Sequence, residues 1–328
     1  MTERRRVYAE RIRALGLSTP DERTMHLLWQ IVDGGALGAS LHVRLTLELL
    51  THLMDSADDP TEGWARTSCA GDFIAGTRGS EAPVIANSIG RVLRGLNRMA
   101  AAERRVELGR RAGRWQEEAE RRHARLVDTA VRVIGPNRRV IAFDYSSTVD
   151  AVVVRLAATA PPRQVIVPES RSLAGGRRYV EAFTAAGIPV HYVVDAAFEH
   201  ILGDDTVILL GAESLQRDGS LINTIGSRPL ARLARWRGCP VYGCADLLKL
   251  DLRTGAVCAE RVQREFDHLL KGIELPNGAV VTTAVPELEV VPASLITAIL
   301  TDRGPVPPAS LEDLAQRQCC EGKEDGAA

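Results

Sequence analysis

The chain has 328 residues, with 41 Lys and Arg against 42 Asp and Glu and a formal net charge of −1. At roughly 150 residues per domain, this length predicts two domains. The balanced charge lacks the basic surplus of nucleic-acid-binding domains, so no nucleic-acid partner is expected. No apolar run approaches the ~20 residues that span a bilayer, and the charged start MTERRRVYAERIRAL lacks the apolar core of a signal peptide. We therefore expect a cytoplasmic protein without a membrane segment.

The six cysteines and seven histidines show no spacing that is typical of a metal site. The cysteines are scattered and are expected to be reduced, structural thiols. The sequence also lacks a GxGxxG fingerprint after a predicted strand, a P-loop and a GxSxG elbow. We therefore expect no metal and no other cofactor.

Residues 1–135 are predicted to form an all-helical N-terminal domain. The run Thr19-Pro20-Asp21-Glu22 predicts a helix start, with a cap followed by Pro at the first helical position. A further helix is predicted over about residues 36–54. Asp59-Pro60 starts the next, and residues 76–79 interrupt it. Arg and Glu at three- and four-residue spacing over residues 100–125 predict a long, partly exposed helix.

The run Gly135-Pro136-Asn137-Arg138 marks the predicted domain junction, after which short Val- and Ile-rich runs alternate with helical patterns. Such runs are typical of strands buried on both faces, and their alternation with helices predicts a parallel sheet. The predicted strands are residues 140–143, 165–167, 190–194, 207–210 and 241–242. Less regular strands are predicted at 268–270 and 279–281. The fold class is therefore α/β: a helical domain over 1–135, a Rossmann-like, mostly parallel sheet domain over 136–318, and a disordered tail over 319–328.

Ligands of such sheets bind at the carboxyl ends of the strands, so the polar residues that follow each strand are candidate site residues. Asp144 and Glu213 follow two different strands there, and a pair of carboxyl groups in one pocket could exchange a proton. Spacing alone does not show that they meet, and the alternative for Glu213 is a solvated loop acid. Arg171, in the run Glu169-Ser170-Arg171, follows a third strand.

Two loops are candidate anion sites. Arg78 and Gly79 precede a predicted helix, where backbone N–H groups and a guanidinium suit a phosphate, although a plain turn explains them equally well. Ser146 and Ser147 lie between the first strand and its helix, where they could bind a phosphate or sugar hydroxyls or simply cap the helix. Lys249 could hold an anion or lie free on the surface.

Three segments resemble the superfamily that joins the regulatory subunits of translation initiation factor 2B with the aldose-1-phosphate isomerases. They are PESRSLAGGRRYVEAFTAAGIPV, LLGAESLQRDGSLINTIGSRPLARLA and PVYGCADLLKLD. TRGSEAPVIANSIGRVL and VVPASLITAILTDRG extend the likeness to residues 28–304. The isomerases of this superfamily act on methylthioribose 1-phosphate and ribose 1,5-bisphosphate. The resemblance implies a helical N-terminal domain, a Rossmann-like domain and a homodimer formed through the latter.

The resemblance also implies roles for single residues. The isomerases use a Cys in a strand-end HCNSG segment and an Asp in a GAD segment, and Asp144 and Glu213 stand at these two positions. Asn223 and Lys249 match substrate-holding residues, and Arg78 matches a phosphate contact. By contrast, the run from Tyr145 to Thr148 is closer to the non-catalytic factor subunits.

We therefore expect a sugar-phosphate isomerase-like enzyme that acts on a ribose-phosphate-like substrate, with Asp144 and Glu213 as its acid–base pair. The expected substrate contacts are Arg78, Gly79, Ser146, Ser147, Arg171, Asn223 and Lys249. The alternative is a non-catalytic regulatory protein that binds a sugar phosphate or a nucleotide. Either protein would have a small phosphorylated ligand and form a homodimer.

Overall fold

In a computed structural model, residues 20–32, 39–253 and 263–324 are described. The chain forms two compact units. The first contains the chain up to Arg121, residues Leu248–Leu250 and the chain from Gln316 onward. The second contains Arg122–Leu247 and Asp251–Ala315. Within the described ranges, no helix is both long and apolar enough to cross a bilayer.

The first unit is built from helices. They are α1 (Glu22–Val32), α2 (Ala39–Asp55), α3 (Pro60–Gly76), the single turn α4 (Arg78–Glu81), α5 (Pro83–Leu93) and α6 (Ala101–Ile134), whose last part belongs to the second unit. Helix α2 supplies much of the core, since Leu49, Leu50 and Met54 are completely buried. Leu28 and Ile31 of α1 belong to the same apolar cluster, so helical periodicity correctly predicts which faces are buried.

Two helix starts test the predicted caps. Asp59 caps α3 by accepting a hydrogen bond from Thr61 N at 3.0 Å, and Pro60 occupies the first turn, as the sequence predicts. At α1 the predicted start is two residues too early, because the helix begins at Glu22 and Asp21, not Thr19, is the capping residue. The Asp21 carboxylate accepts a hydrogen bond from Thr24 N at 2.9 Å. Thr19 lies outside the described residues.

The second unit is organised around a seven-stranded sheet with the order β12-β11-β7-β4-β1-β2-β3. Its strands are β1 (Arg139–Phe143), β2 (Gln164–Pro168), β3 (Val190–Val193), β4 (Thr206–Leu210), β7 (Val241–Cys244), β11 (Ala298–Thr301) and β12 (Gly304–Val306). All pairs are parallel except β11 with β12. Chain order reverses between β1 and β4, which makes their carboxyl ends the topological switch point where ligands of doubly wound sheets bind.

Helices connect the parallel strands as the sequence predicts. They are α7 (Ser147–Thr159), α8 (Gly175–Ala185), the short α9 (Phe198–Ile201) and α10 (Ser227–Trp236). The core between helices and sheet is apolar: Val140, Val165 and Val207 of the central strands pack with Val152 of α7 and Phe183 of α8. The predicted α/β class with an N-terminal helical part is therefore confirmed.

Smaller sheets complete the second unit. An antiparallel sheet has the order β10-β6-β5, formed by β5 (Ser214–Leu215), β6 (Leu221–Thr224) and β10 (Leu288–Val291), and β8 (Gln263–Arg264) pairs with β9 (Val285–Pro286). The predicted strand at 268–270 is instead part of a 3-10 turn, Asp267–Leu270, and residues 279–281 form no strand. Helix α11 (Leu311–Glu324) extends into the segment for which a disordered tail is expected; two acids, Glu312 and Asp313, support its first turn.

Candidate functional site

Asp144 lies at the switch point, immediately after β1, and its carboxyl group is fixed by two hydroxyl groups. Ser170 Oγ donates to Asp144 Oδ1 at 2.8 Å, and Thr224 Oγ1 donates to Asp144 Oδ2 at 2.6 Å. The residue is 9 % exposed, so these hydroxyls replace water around the carboxyl group. The residues after β1 and β2 therefore meet at one carboxyl group, as the strand-end rule predicts, and Thr224, the last residue of β6, joins them.

Burial raises the pKa of the Asp144 carboxyl above its usual value. The hydrogen bonds from Thr224, Ser170 and the Tyr145 N–H lower this pKa, and the negative charge of Asp195 raises it, so the net shift is upward. A carboxyl group with a raised pKa keeps its proton to a higher pH than an exposed Asp does. A raised pKa is a common property of carboxyl groups that act as general acids.

The segment after β2 has an unusual backbone that brings Ser170 to Asp144. Ser170 has a φ of 48° and Ala174 a φ of 53°, both in the left-handed region, and Asp144 itself has a φ of 52°. Asp195 accepts hydrogen bonds from Ser170 N at 2.9 Å and from Arg171 N at 2.8 Å. Three strand ends, those of β1, β2 and β3, are thus linked through Asp144, Ser170 and Asp195.

Glycine makes room for this arrangement at Gly175, the first residue of α8. A Cβ atom at this position would collide with Asp144 Oδ1 and would lie 2.8 Å from Tyr145 N. Gly211, which follows β4, is similarly constrained, because its Cβ atom would lie 2.7 Å from Ser146 Cβ. Close packing of these backbones against the switch point therefore explains both glycines.

Ser146 has the capping role that the sequence leaves as one of two interpretations. Its side chain caps α7 by accepting a hydrogen bond from Val149 N at 3.5 Å, while its own N–H donates to the Tyr179 hydroxyl at 3.0 Å. Ser147 is the first residue of α7 and is exposed. Ser147 is therefore the hydroxyl of this pair that is open to solvent.

Glu213 and Asn223 lie around the hairpin that β5 and β6 form. Glu213 N donates to Ile222 O at 2.8 Å, and the Glu213 side chain is partly exposed. Asn223 is buried, and its Nδ2 donates to Ser227 Oγ at 2.9 Å. Strand β6 thus connects both predicted acids, through Ile222 to Glu213 and through Thr224 to Asp144. In the described part of the chain, no hydrogen bond joins the two carboxyl groups directly.

Arg171 has an exposed side chain. Its guanidinium lies 3.6 Å from the Glu169 carboxylate in a solvent-exposed ion pair, which contributes little to stability. The backbone carbonyl of Arg171 contacts His268 Nε2 at 3.0 Å. Its guanidinium can therefore reorient toward a ligand at small cost.

Arg78, Gly79 and Lys249 belong to the first unit. Arg78 and Gly79 lie within the single turn α4, not in a loop before a helix as expected. Arg78 Nη2 lies 3.1 Å from His42 Nε2. A Cβ atom on Gly79 would lie 2.8 Å from Ala86 Cβ, so Gly79 allows α4 to pack against α5. Lys249 ends the 3-10 turn Leu247–Lys249 and is partly buried.

Sequence reasoning missed Glu289, a carboxylate on β10 that is 1 % exposed. Its Oε1 accepts hydrogen bonds from Gly226 N at 2.7 Å and Arg228 N at 2.9 Å, and its Oε2 lies 3.2 Å from Arg228 Nε. Glu289 therefore binds the N-terminus of α10, where a negative charge is favourable. A Glu within the strand pattern LEVV is typical of a solvent-facing position, so the sequence carries no signal for this role.

Thr224 was also missed, although the hairpin that carries it could have been found. The dipeptide Asp218-Gly219 between short apolar runs is a strong hairpin signal. Gly219 has a φ of 87°, and Asp218 Oδ1 accepts from Ser220 N at 2.9 Å. Recognition of this turn would have predicted that residues 214–224 fold back as two strands.

A cleft in the second unit lies apart from the Asp144 cluster. A cleft of about 750 Å³ lies at the amino ends of β2 and β3, lined by residues such as Gln164, Val165 and His191. The carboxyl ends of these strands carry the convergent polar groups, and ligand chemistry depends on such groups more than on volume. Among the described residues, no group of three His, Cys, Asp or Glu side chains could hold a metal ion.

The strand order, the switch-point carboxyl group and the helical first unit define a two-unit protein with a Rossmann-like second unit. The sequence model described as "Initiation factor 2 subunit family" matches residues 38–308. This chain belongs to that family.

Several named relatives are similar in sequence. Ribose 1,5-bisphosphate isomerase of Haloferax volcanii is 32% identical over 165 residues, which are 49% of this chain and 50% of the relative. The isomerase of the same name from Haloterrigena turkmenica is 28% identical over 70% of this chain and 72% of its own length. Methylthioribose-1-phosphate isomerase of Chloroflexus aurantiacus is 35% identical over 47% of this chain and 46% of the relative. The chain thus spans about half the length of two of these three relatives.

Two solved structures show the same fold. The Pyrococcus horikoshii translation initiation factor eIF-2B superposes with a TM-score of 0.71 at 20% identity, covering 88% of this chain and 98% of that one. The 5-methylthioribose 1-phosphate isomerase of the same organism gives a TM-score of 0.70 at 19% identity, covering 90% and 88%. At these identities the likeness concerns the fold alone.

Proposed function

We propose that this protein is an aldose–ketose isomerase that acts on a phosphorylated, ribose-like sugar. The observation that carries the proposal is the Asp144 carboxyl group, which is buried at the switch point, held by two hydroxyls and raised in pKa. The relatives named as ribose 1,5-bisphosphate and methylthioribose-1-phosphate isomerases support the substrate class. No other acid that follows a strand of the parallel sheet combines burial with a raised pKa among the described residues.

The proposed chemistry assigns one proton transfer to each acid. Conversion of an aldose 1-phosphate to a ketose opens the ring, so the ring oxygen must gain a proton. A hydrogen then moves with its electron pair from C2 to C1, and the C2 hydroxyl loses its proton as the ketone forms. Asp144 is the proposed donor to the ring oxygen, and Glu213 the proposed acceptor of the hydroxyl proton. The two acids exchange the proton back before the next turnover, so atoms and charges balance.

The proposed substrate contacts differ in what supports them. In the second unit, Ser147 and Arg171 have exposed side chains, and Asn223 and Ser146 have polar groups already in hydrogen bonds that a ligand would share or replace. Arg78 and Lys249 are proposed substrate contacts on the family resemblance, and Arg78 and Gly79 also on the anion-binding pattern of their segment. The positions of Asp144 and Glu213 also depart from the Cys and Asp that the resemblance implies, so the substrate can differ from those of the named relatives.

The test is to incubate the full chain with ribose 1,5-bisphosphate and with methylthioribose 1-phosphate and to follow ketose formation by NMR. Asp144→Asn and Glu213→Gln keep side-chain volume but cannot transfer a proton, so each should lower kcat about 10²- to 10⁴-fold. Glu181→Gln is the matched control, because Glu181 is exposed on α8. Unchanged turnover in both site variants would exclude the assigned roles.

A second candidate function is that of a non-catalytic regulatory protein that binds a sugar phosphate or nucleotide. The capping role of Ser146 favours it, since the run from Tyr145 to Thr148 resembles the factor subunits and Ser146 serves the helix start. Calorimetric titration with the same sugar phosphates and with nucleotides separates the two functions. Binding without any turnover would favour the regulatory protein.

We also propose a homodimer. Support comes from the family resemblance and from a structural neighbour of the same fold that is named as a tetrameric eIF2B-beta2-delta2 complex from C. thermophilum. Light scattering coupled to size-exclusion chromatography measures the mass directly, and twice the chain mass of 35.6 kDa is expected.

A further inference from the structure

We propose that Asp195 is a positioning residue of the candidate site, and that it acts on Asp144 through Ser170. Asp195 holds the backbone after β2 in the conformation that directs the Ser170 hydroxyl to the Asp144 carboxyl group. Thr224 donates a hydrogen bond to the second carboxyl oxygen. The inference rests on the proposed function in so far as Asp144 is the acid–base group of that function.

The first step is the contact between Asp195 and the segment after β2. The two carboxylate oxygens of Asp195 each accept one backbone hydrogen bond, from Ser170 N at 2.9 Å and from Arg171 N at 2.8 Å. Ser170 is 1 % exposed, so water cannot easily replace Asp195 as the partner of its N–H. A buried N–H without a partner is costly, and the Asp195 carboxylate therefore determines where this backbone lies.

The hydrogen bonds to Asp195 hold Ser170 in an unusual backbone conformation. Ser170 has a φ of 48°, and a left-handed conformation at a residue other than Gly costs on the order of 1–3 kcal/mol. Ala174 N donates to Ser170 O at 2.7 Å and closes the turn from the other side. Such a conformation persists only where neighbouring groups enforce it, and the two bonds to Asp195 do so here.

The third step is the effect on Asp144. With Ser170 on Oδ1 and Thr224 on Oδ2, each carboxyl oxygen has its own hydroxyl donor. Asp144 also has a left-handed backbone, and Gly175 packs against its Oδ1 where a Cβ atom would collide. The carboxyl plane is therefore fixed, as an acid–base group that must meet one substrate atom requires. Of the two hydroxyl donors, Ser170 is the one whose backbone N–H is bound to Asp195.

Several ionisable groups act on this cluster. The negative charge of Asp195 raises the pKa of Asp144. Burial raises the pKa of the Tyr179 hydroxyl, and the negative charges of Asp144, Cys244 and Asp150 raise it further. Ser170 Oγ contacts Asp144 Oδ1 directly at 2.8 Å, whereas Asp195 accepts hydrogen bonds from the Ser170 and Arg171 N–H groups, so we expect loss of the hydrogen bond to affect the pKa of Asp144 more than loss of the charge. Loss of Asp195 therefore changes the pKa of Asp144 in two opposite ways. Loss of the hydrogen bond from Ser170 raises this pKa, loss of the negative charge lowers it, and we expect the first effect to be larger.

This opposition gives a specific test. The ionisation of Asp144 is followed by carbon NMR of Asp-labelled full-length protein without substrate, with Asp144→Asn for assignment. In the wild-type background, Asp195→Ala should raise the pKa of Asp144, because the bond from Ser170 is lost. In the Ser170→Ala background the same substitution should lower it, because only the negative charge of Asp195 disappears. A shift in the same direction in both backgrounds would overturn the proposal.

Three further measurements complete the design. Asp204→Ala, an exposed Asp before β4, is the matched control and should leave the pKa of Asp144 unchanged. If Asp195→Ala fails to fold, Asp195→Asn, which keeps one acceptor oxygen, replaces it. Asp195→Asn should accelerate hydrogen exchange at the Ser170 or the Arg171 amide. Retained protection of both amides would contradict the proposal. With an active enzyme, Asp195→Ala should lower kcat more than it raises KM.

The outcome also separates this proposal from the proposed function. The NMR titration needs no turnover, so a reversal of sign can be observed in a protein that isomerises nothing. Conversely, loss of turnover in Asp144→Asn without a reversal of sign would support the isomerase and reject the role of Asp195.

Discussion

The two units differ in where they place buried charge and unusual backbone. Among the described residues, the buried polar groups of the first unit are neutral at neutral pH or are histidine: Thr24, His42, Thr46, Thr67 and Ser88. The second unit buries three carboxyl groups, those of Asp144, Asp251 and Glu289. All four described residues other than Gly with positive φ also lie there: Asn137, Asp144, Ser170 and Ala174.

A helical unit can be stable through apolar periodicity alone, and the first unit follows that rule. The second unit carries features that cost free energy and that a sheet with covering helices does not need. Three of its four left-handed residues and one of its buried acids meet at the switch point. Such a concentration is typical of a functional site.

The largest predicted effect contrasts two glutamates. Glu289→Ala leaves Arg228 and the N-terminus of α10 without their buried partner, so we expect a loss of about 3–5 kcal/mol in the free energy of unfolding. Glu48→Ala in the first unit removes an exposed ion pair with Arg23 and should cost less than about 1 kcal/mol. Urea titrations followed by circular dichroism measure both changes. Equal losses would show that the units do not differ in this way.

Most of the fold could be predicted because the helical periodicity of apolar residues and the continuous apolar runs of strands are both local patterns. Continuous Val and Ile runs predict β1, β2, β4 and β7, since strands covered on both faces need apolar side chains at every position. Strand β5 has only two residues, so its apolar pattern is too short to predict a strand, and the turn at Asp218-Gly219 is the one local signal for the hairpin β5–β6. Residues 268–270 form part of a 3-10 turn, not the predicted strand, because an apolar run this short does not distinguish the two structures.

For the site, the sequence predicts only which polar residues follow a strand, and not which residues they contact. Position after a strand identifies Asp144, but its hydroxyl partners are 26 residues away at Ser170 and 80 residues away at Thr224. Such contacts depend on strand order and on the register of β6, neither of which follows from local pattern. The left-handed backbone of Ser170 could not be predicted either, because this conformation is usually signalled by Gly and the residue here is Ser.

The next prediction contrasts two glycines. Gly175→Ala would drive a methyl group into Asp144 Oδ1, so we expect a loss of about 1–3 kcal/mol through overpacking. Gly113→Ala lies in α6, where a Cβ atom meets nothing within 4 Å, so better helix propensity should stabilise the protein by about 0.5–1 kcal/mol. Thermal unfolding of both variants gives the sign of each change. Stabilisation by Gly175→Ala would contradict the close approach at the switch point.

The smallest predicted effect is a difference in pH dependence between two aspartates. Partial burial acts to raise the pKa of Asp21, but hydrogen bonds from Thr24 and His52 outweigh it and lower the pKa to about 2. Asp21 therefore stabilises the folded state above the unfolded pKa of about 4, and this contribution is lost as the pH falls toward about 2. Since Asp21 is about half exposed, solvent screening keeps the contribution small.

Asp144 has the opposite linkage. Its pKa is raised in the folded state, so its contribution is fully present below about pH 4, the unfolded pKa, and is lost as the pH rises through the folded pKa. Relative to wild type, Asp144→Asn should therefore gain stability as the pH increases from about 4. Asp21→Asn should instead lose stability relative to wild type as the pH rises from about 2 toward about 4, and it should stay less stable above that pH. Urea midpoints measured from pH 3 to pH 8 give both slopes. Slopes of the same sign would mean that the Asp144 carboxyl ionises like a surface acid, and the switch point would then lack the proton donor on which the isomerase depends.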